Sequence, residues 1–313
     1  MKKIIFIVGI VVIIGLGIFA VLNIAQKSNT SSDRLSVVTT LFPLYDFAKA
    51  IGGDKVAVTF LLPPGVEAHA YEPKPSDITK INSAKIFIYT GEFMEPWAHD
   101  IIEDANKNVK IVDASIGIEM MKEEDGHEHD GVDPHIWLDF DNAKKMAQNI
   151  AKALSEVDPQ NAEYYQSNLK AYQNKLTELD NNYKSKLSAC KTKTIVYSGH
   201  YAFSYMAKRY SLEYVAAQGF SPDAEPTAKD MIALTEQIRN NKIGYIFYEE
   251  LTSPKIAETL SKETNAKLLL LNGAHNLAKE DFESGASFIS IMEENLKNLA
   301  LSWLSKITYG SDC

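Results

Sequence analysis

The sequence predicts an α/β protein of two lobes, each a parallel sheet flanked by helices, joined by one long rigid helix. Short apolar or β-branched runs alternate with helix-like segments in both halves of the chain, a pattern typical of βα units in a parallel sheet. A continuous helical pattern separates the two halves. The chain has 313 residues, 45% of them hydrophobic, which exceeds an average domain of roughly 150 residues and favours two lobes.

The first α/β lobe is predicted over residues 36–157. It opens with a β-branched run, SVVTT, followed by a helical segment that ends at Gly52 and Gly53. In order, the predicted elements are a strand at 36–40, a helix at 44–51, a strand at 56–62, a helix at 76–83 and strands at 84–90 and 109–113.

The connector helix is predicted over residues 158–190. Asp158 is a suitable N-cap and Pro159 suits the first helical position. Apolar and aromatic residues then recur every three or four positions, at Tyr165, Leu169, Tyr172, Leu176, Leu179, Tyr183 and Leu187. Such a helix is long enough to pack along both lobes. A coiled coil is the alternative, but it needs a seam sustained over more heptads.

The second α/β lobe, residues 191–313, repeats the same alternation. Its predicted elements are a strand at 194–198, a helix at 202–210 and strands at 212–215, 242–248 and 266–271.

Residues 1–26 have the features of an export signal or a membrane anchor. Lys2 and Lys3 precede nineteen uncharged residues at 4–22, and a polar linker at 27–35 follows. This run is longer than a usual signal core of roughly 7 to 15 residues and lacks a clear cleavage site, which favours an uncleaved anchor over a cleaved signal. No cysteine lies near it to carry a lipid. The remainder is therefore predicted to lie outside the cytoplasm.

Charge and cysteine content restrict the partners. Lys and Arg number 32 against 41 Asp and Glu, a net charge of −9 without a basic patch, so a nucleic acid partner is not expected. Cys190 and Cys313 are the only cysteines, which excludes a Cys-rich zinc site. Outside the cell these two cysteines are predicted to form a disulfide that ties the C-terminal tail to the second lobe.

Four of the seven histidines stand in loops after, or nearly after, predicted strands: His69, His135, His200 and His275. Strand ends are where sheets of this class assemble ligand sites. The separations of 66, 65 and 75 residues exclude a local zinc finger or an HExxH motif. Two histidines from each lobe can therefore converge in the cleft between the lobes.

Four ordered segments carry a family resemblance: 65–77 (GVEAHAYEPKPSD), 133–139 (DPHIWLD), 198–210 (SGHYAFSYMAKRY) and 221–227 (SPDAEPT). Together they resemble the zinc- and manganese-specific substrate-binding proteins of ABC importers, the ZnuA-like or cluster A-I family, over about residues 36–301. The resemblance implies two α/β lobes joined by a long helix, with the metal between them. It also implies that His69, His135 and His200 are ligands.

The residue type at the third implied ligand, His200, indicates which metal the site prefers. Manganese-type members generally have a carboxylate where this sequence has His200, so the resemblance favours Zn²⁺. Imidazole nitrogen also suits Zn²⁺, whereas Mn²⁺ prefers more oxygen ligands. Mn²⁺ and Fe²⁺ remain alternatives.

The fourth ligand position departs from the family pattern. Many members have an Asp in the turn after the last strand, whereas here Leu271 is followed by Asn272, Gly273, Ala274 and His275. Asn is a poor zinc ligand, so His275 is the predicted ligand, with Glu249, Glu250 or a water as alternatives. Glu225 is a candidate for orienting an imidazole from behind.

The acidic segment 123–130 (EEDGHEHD) contains His127 and His129. It is interpreted either as a solvated loop or as a weak metal-collecting loop, since zinc-type members often carry His-rich insertions here.

The resemblance implies a monomeric binding protein without turnover that delivers its ion to a permease driven by an ATPase. Because the ligands are neutral imidazoles, metal affinity is predicted to fall as pH drops through roughly 6.5. A zinc hydrolase is disfavoured, because the sequence has no HExxH and no base paired with the histidines. A surface adhesin is the other alternative, and it needs an exposed apolar patch or an added module.

Overall fold

The computed structural model describes residues 34–122, 131–188, 194–219 and 226–304. The predicted anchor and most of the linker lie outside these residues, as do Glu225, His127, His129, Cys190 and Cys313. Within the described part of the chain, no helix is both long enough and apolar enough to cross a membrane.

Two four-stranded parallel sheets form the centres of the lobes, as predicted. In the first lobe the spatial order is β2-β1-β3-β4, and in the second it is β6-β5-β7-β8, so both lobes repeat one topology. The strands are β1 (Leu35–Thr39), β2 (Val56–Phe60), β3 (Ile86–Tyr89), β4 (Lys110–Asp113), β5 (Thr194–Tyr197), β6 (Glu213–Ala216), β7 (Tyr245–Tyr248) and β8 (Lys267–Leu270).

Ten α-helices cover the sheets in the described residues. They are α1 (Phe42–Gly52), α2 (Pro75–Ser83), α3 (Ala98–Glu103), α4 (Phe140–Val157), α5 (Ala162–Ser188), α6 (Ser204–Tyr210), α7 (Ala228–Asn240), α8 (Lys255–Thr264), α9 (Lys279–Glu283) and α10 (Phe288–Leu304). Helices α3, α4, α7, α8, α9 and α10 are not among the predicted elements. Asp139 caps α4 by accepting hydrogen bonds from the backbone of Asp141 and Asn142.

Helix α5 is the predicted connector. Its 27 residues span roughly 40 Å, and it packs on α1 and α4 of the first lobe and on α6 and α10 of the second. All seven residues of its predicted apolar pattern are buried. Pro159 begins a short 3₁₀ turn instead of the α-helix itself, and the Asp158 carboxylate accepts hydrogen bonds from the side chains of Asn161 and Tyr165.

The hydrophobic core runs without a break from one lobe through the connector to the other. Val37 of β1, Leu176 of α5 and Phe247 of β7 belong to the same buried cluster. Because side chains alternate along a strand, Val38 faces the other way and packs in a separate cluster of the first lobe. The shared core holds the two sheets so that their carboxyl ends border one cleft.

Candidate metal site

The four predicted histidines meet in the cleft between the lobes. His69 follows β2 and His135 precedes the 3₁₀ turn Ile136–Leu138, whereas His200 follows β5 and His275 follows β8. Each offers one ring nitrogen to a group whose atoms all lie within 4.8 Å of one another. His135 and His200 are fully buried, His275 is 5% exposed, and His69 is partly accessible.

The spacing of the inner nitrogens matches a metal site. Nε2 of His135 lies 3.2 Å from Nε2 of His69 and 3.2 Å from Nε2 of His200. A tetrahedral zinc ion with Zn–N distances of about 2.0–2.1 Å separates its ligand atoms by roughly 3.3 Å. These two pairs therefore have nearly the separation that one Zn²⁺ ion requires, and all four ligand atoms lie within 4.8 Å of one another.

Asp133 holds the imidazole of His135 from behind. Its Oδ1 lies 2.7 Å from Nδ1 of His135 and also accepts the backbone N–H of His135 at 2.9 Å. A carboxylate at this distance places the ring proton on Nδ1, which leaves Nε2 with a bare lone pair facing the cluster.

Two consecutive glutamates stand behind the second-lobe histidines. Glu249 Oε1 lies 2.7 Å from Nδ1 of His200 without hydrogen-bond alignment, and its Oε2 accepts the backbone N–H of His200 at 3.2 Å. Glu250 Oε1 lies 3.7 Å from Nδ1 of His275. Within the described residues, Nε2 of His275 is buried without a hydrogen-bond partner. The structure thus places both glutamates at the outer nitrogens, behind the imidazoles.

Two glycines permit this close packing. A Cβ on Gly199 would lie 2.2 Å from Oε2 of Glu249, and a Cβ on Gly273 would lie 2.4 Å from Cε1 of His275. Any side chain at either position would push a carboxylate or an imidazole out of place.

Asn272 and Trp137 support the loop that carries His275. The side-chain Oδ1 of Asn272 accepts the backbone N–H of Ala274 at 2.7 Å, so the structure places this amide in the turn. Trp137 donates from Nε1 to the carbonyl of Gly273 at 2.8 Å, and its ring lies edge-on to those of His135 and His275. Trp137 is fully buried and packs on the site itself.

Burial controls protonation in the cluster. Burial, aided by the charge of His200, lowers the pKa of His69 to about 3. Burial and the neighbouring imidazoles also hold the pKa values of His135 and His275 well below 6.5. Burial raises the pKa of Asp133 to about 7, and burial next to Glu249 raises that of Glu250 to about 8. His69, His135 and His275 are therefore neutral at pH 7, which is the form that binds metal.

Comparison of the sequence with protein families gives a match over most of the chain. The family model described as ZnuA, zinc-uptake complex component A, periplasmic, matches residues 37–301. The chain belongs to the ZnuA family.

Curated relatives of this ZnuA-family chain are named for zinc. The zinc-binding lipoprotein AdcA of Streptococcus pneumoniae is 38% identical over 293 residues, which cover 90% of this chain and 58% of AdcA. The high-affinity zinc uptake system protein ZnuA of Bacillus subtilis is 38% identical over 291 residues, covering 90% of this chain and 91% of that protein. The chain thus spans little more than half the length of AdcA.

Solved structures of ZnuA-like proteins share the fold. The Zn(II)-bound ZnuA-like domain of Streptococcus pneumoniae AdcA superimposes with a TM-score of 0.76 at 39% identity, covering 86% of this chain and 99% of that one. The laminin-binding protein Lmb of Streptococcus agalactiae, described as an adhesin with metal-transporting activity, gives 0.78 at 29% identity, covering 86% of this chain and 99% of Lmb.

Asp133 was not predicted as part of the site in this member of the ZnuA family. The sequence feature that could have identified Asp133 is its position two residues before His135, which places its carboxylate within reach of the imidazole ring. Ser204, which donates to Asp133 from the other lobe, has no such signal, since the two residues are 71 positions apart.

Proposed function

We propose that this ZnuA-family chain captures Zn²⁺ outside the cytoplasm with His69, His135, His200 and His275, and delivers it to an ABC permease driven by an ATPase. The ion is cargo, and the protein binds it without turnover. A membrane anchor at residues 1–26 would keep the binding lobes close to the permease.

The observation that carries this proposal is the facing pair of Nε2 atoms of His135 and His200, 3.2 Å apart. The carboxylate of Asp133 beside Nδ1 of His135 favours the tautomer in which Nε2 of this ring is a bare acceptor. This lone pair, with ring nitrogens of His69 and His200 each 3.2 Å away, suits a cation held between the rings. Four neutral nitrogen donors favour Zn²⁺ over Mn²⁺.

The comparisons support zinc as the cargo. The relatives at 38% identity are named for zinc binding or zinc uptake, whereas the neighbour described as an adhesin is 29% identical. Zinc capture is thus better supported than manganese transport or adhesion.

A competition titration of the metal-free protein with Zn²⁺ and Mn²⁺ tests the proposal. We expect one tight Zn²⁺ site per chain that excess Mn²⁺ does not displace. Absence of a tight zinc site, or preferred binding of Mn²⁺, would overturn it.

A further inference from the structure

Three side chains of α6 reach from the second lobe to the first-lobe segment that carries His135. Ser204 donates its hydroxyl to Oδ2 of Asp133, and Tyr205 donates to the backbone carbonyl of Asp133 at 3.0 Å. Arg209 binds both carboxylate oxygens of Asp139 at 3.0 and 3.1 Å. Helix α6 begins four residues after His200, so one short helix follows one histidine and contacts the support of another.

The hydroxyl of Ser204 is the contact that acts on the orientation of a ligand. Oδ1 of Asp133 accepts the backbone N–H of His135 and lies 2.7 Å from its Nδ1. Because the carboxylate turns about the Cβ–Cγ bond as one rigid group, the bond from Ser204 to Oδ2 adds a restraint on the position of Oδ1. Ser204 is 7% exposed and Asp133 is 1% exposed, so water has little access to replace this bond.

Tyr205 and Arg209 keep the lobes together independently of Ser204. The hydroxyl of Tyr205 also accepts the backbone N–H of Met121 at 2.8 Å, and Arg209 binds Asp180 of the connector at 2.7 and 2.8 Å. Removal of the Ser204 hydroxyl therefore leaves the docking of α6 in place and changes only the restraint on Asp133.

We infer that Ser204 is a positioning residue for metal capture: it fixes Asp133 across the lobe interface and thereby fixes the inner nitrogen of His135. The inference rests on the proposed zinc-binding function. It means that the first-lobe ligand His135 reaches its binding orientation only when α6 of the second lobe is docked.

Ser204→Ala in the full chain tests the inference directly. Loss of the hydrogen bond from Ser204 to the carboxylate behind His135 is expected to weaken Zn²⁺ binding about tenfold. The visible absorption bands of the Co²⁺-loaded protein should also shift, because they report ligand geometry and a purely structural role would not move them. Ser204→Thr keeps the hydroxyl and should restore most of the affinity and the wild-type spectrum.

A matched control is Ser302→Ala. Ser302 is 6% exposed and donates to the carbonyl of Leu299 within α10, so the substitution removes one buried serine bond outside the site. Its zinc affinity and Co²⁺ spectrum should equal those of the wild type.

Asp133→Ala supplies the deciding comparison. If Ser204 acts through Asp133, Ser204→Ala costs no further affinity in the Asp133→Ala background. An additive loss, or wild-type affinity and spectrum for Ser204→Ala, would overturn the inference while leaving zinc binding intact. Failure of the wild type to bind Zn²⁺ would instead overturn the proposed function.

Discussion

At position 275 the sequence places an imidazole in the turn after β8, where the family resemblance leads one to expect an aspartate. The structure brings this side chain within 4.8 Å of the other three ligand atoms. Its outer nitrogen faces Glu250 and its inner nitrogen is buried without a hydrogen-bond partner among the described residues. The charge and geometry of the proposed zinc site therefore depend on this residue.

His275→Ala is expected to weaken Zn²⁺ binding by more than the roughly 10- to 100-fold that loss of an outer-shell partner costs, because a direct ligand is removed. Competition with a zinc chelator measures the change. His99→Ala is the matched control, since His99 is 73% exposed and pairs only with Glu103 in the described structure. Equal affinities for the two variants would show that His275 is not a ligand.

The pH dependence follows from burial of the imidazoles. The folded pKa of His69, about 3, lies below its unfolded value of about 6.5, and those of His135 and His275 are lowered too. Protonation of these imidazoles therefore favours the unfolded chain, and their contribution to stability is lost as pH falls from 6.5 towards 3. The raised pKa values of Asp133 and Glu250 act in the opposite direction, because these carboxyls bind their protons first in the folded chain.

Zinc affinity should hold to a lower pH than the value near 6.5 expected from the sequence, because His69, His135 and His275 stay neutral. Zinc titrations between pH 7.5 and 5 measure the effect. The account fails if zinc affinity has already dropped at pH 6.5.

The sequence was sufficient to select the four histidines. His69, His200 and His275 stand after strand-like runs, and parallel strands direct their carboxyl ends to one edge, whereas His135 lies in the DPHIWLD segment that carries the family resemblance. It was not sufficient for the contacts behind them. Ser204 and Asp133 belong to different lobes, so their contact depends on how the lobes dock. Glu249 and Glu250 were identified as candidates, but only the fold places them at the outer nitrogens.

Among the elements, helix α5 carries the largest share of the contact between the lobes. Leu176 is fully buried in the core that both lobes share. Leu176→Ala is expected to lower the free energy of unfolding by about 2–5 kcal/mol, because it leaves a cavity in this core. Denaturant unfolding of the metal-free protein measures the loss.

Lys175→Ala, on the exposed side of the same helix, is the control and should change the free energy of unfolding by no more than about 0.5 kcal/mol. Comparable losses for both variants would mean that α5 is not a packed connector.

The order of the eight strands and their parallel pairing followed from the sequence, because strand-like runs separated by helix-like segments are a local pattern. Element ends did not. Strand β7 is limited to Tyr245–Tyr248, whereas the predicted strand covers 242–248. The difference arises because the residues before Tyr245 lead out of helix α7 through Lys242, which has a φ of 51°.

At the scale of the whole molecule, backbone and side-chain bonds tie the lobes on both sides of the cleft. The backbone N–H of Gly65 donates to the carbonyl of Leu277 at 2.7 Å. Asn276 donates from Nδ2 to the carbonyls of Pro63 and Val66 at 2.7 and 2.8 Å. On the other side lie the contacts of α6 with the Asp133 segment. A wide opening of the cleft would break both sets.

We therefore expect zinc loading to change the radius of gyration by less than about 1 Å, as measured by small-angle X-ray scattering of metal-free and zinc-loaded protein. Asn276→Ala, which removes two of the ties, should enlarge the change. A decrease of several ångströms in the wild type would show that the lobes close as rigid bodies around a hinge.

The site itself is tested most directly by anomalous diffraction at the zinc absorption edge from crystals of the zinc-loaded protein. The account predicts one dominant peak in the cleft, about 2.0–2.1 Å from a ring nitrogen of each of the four histidines. A dominant peak elsewhere, or one in the cleft ligated by Glu249 or Glu250 in place of His275, would contradict the four-histidine site.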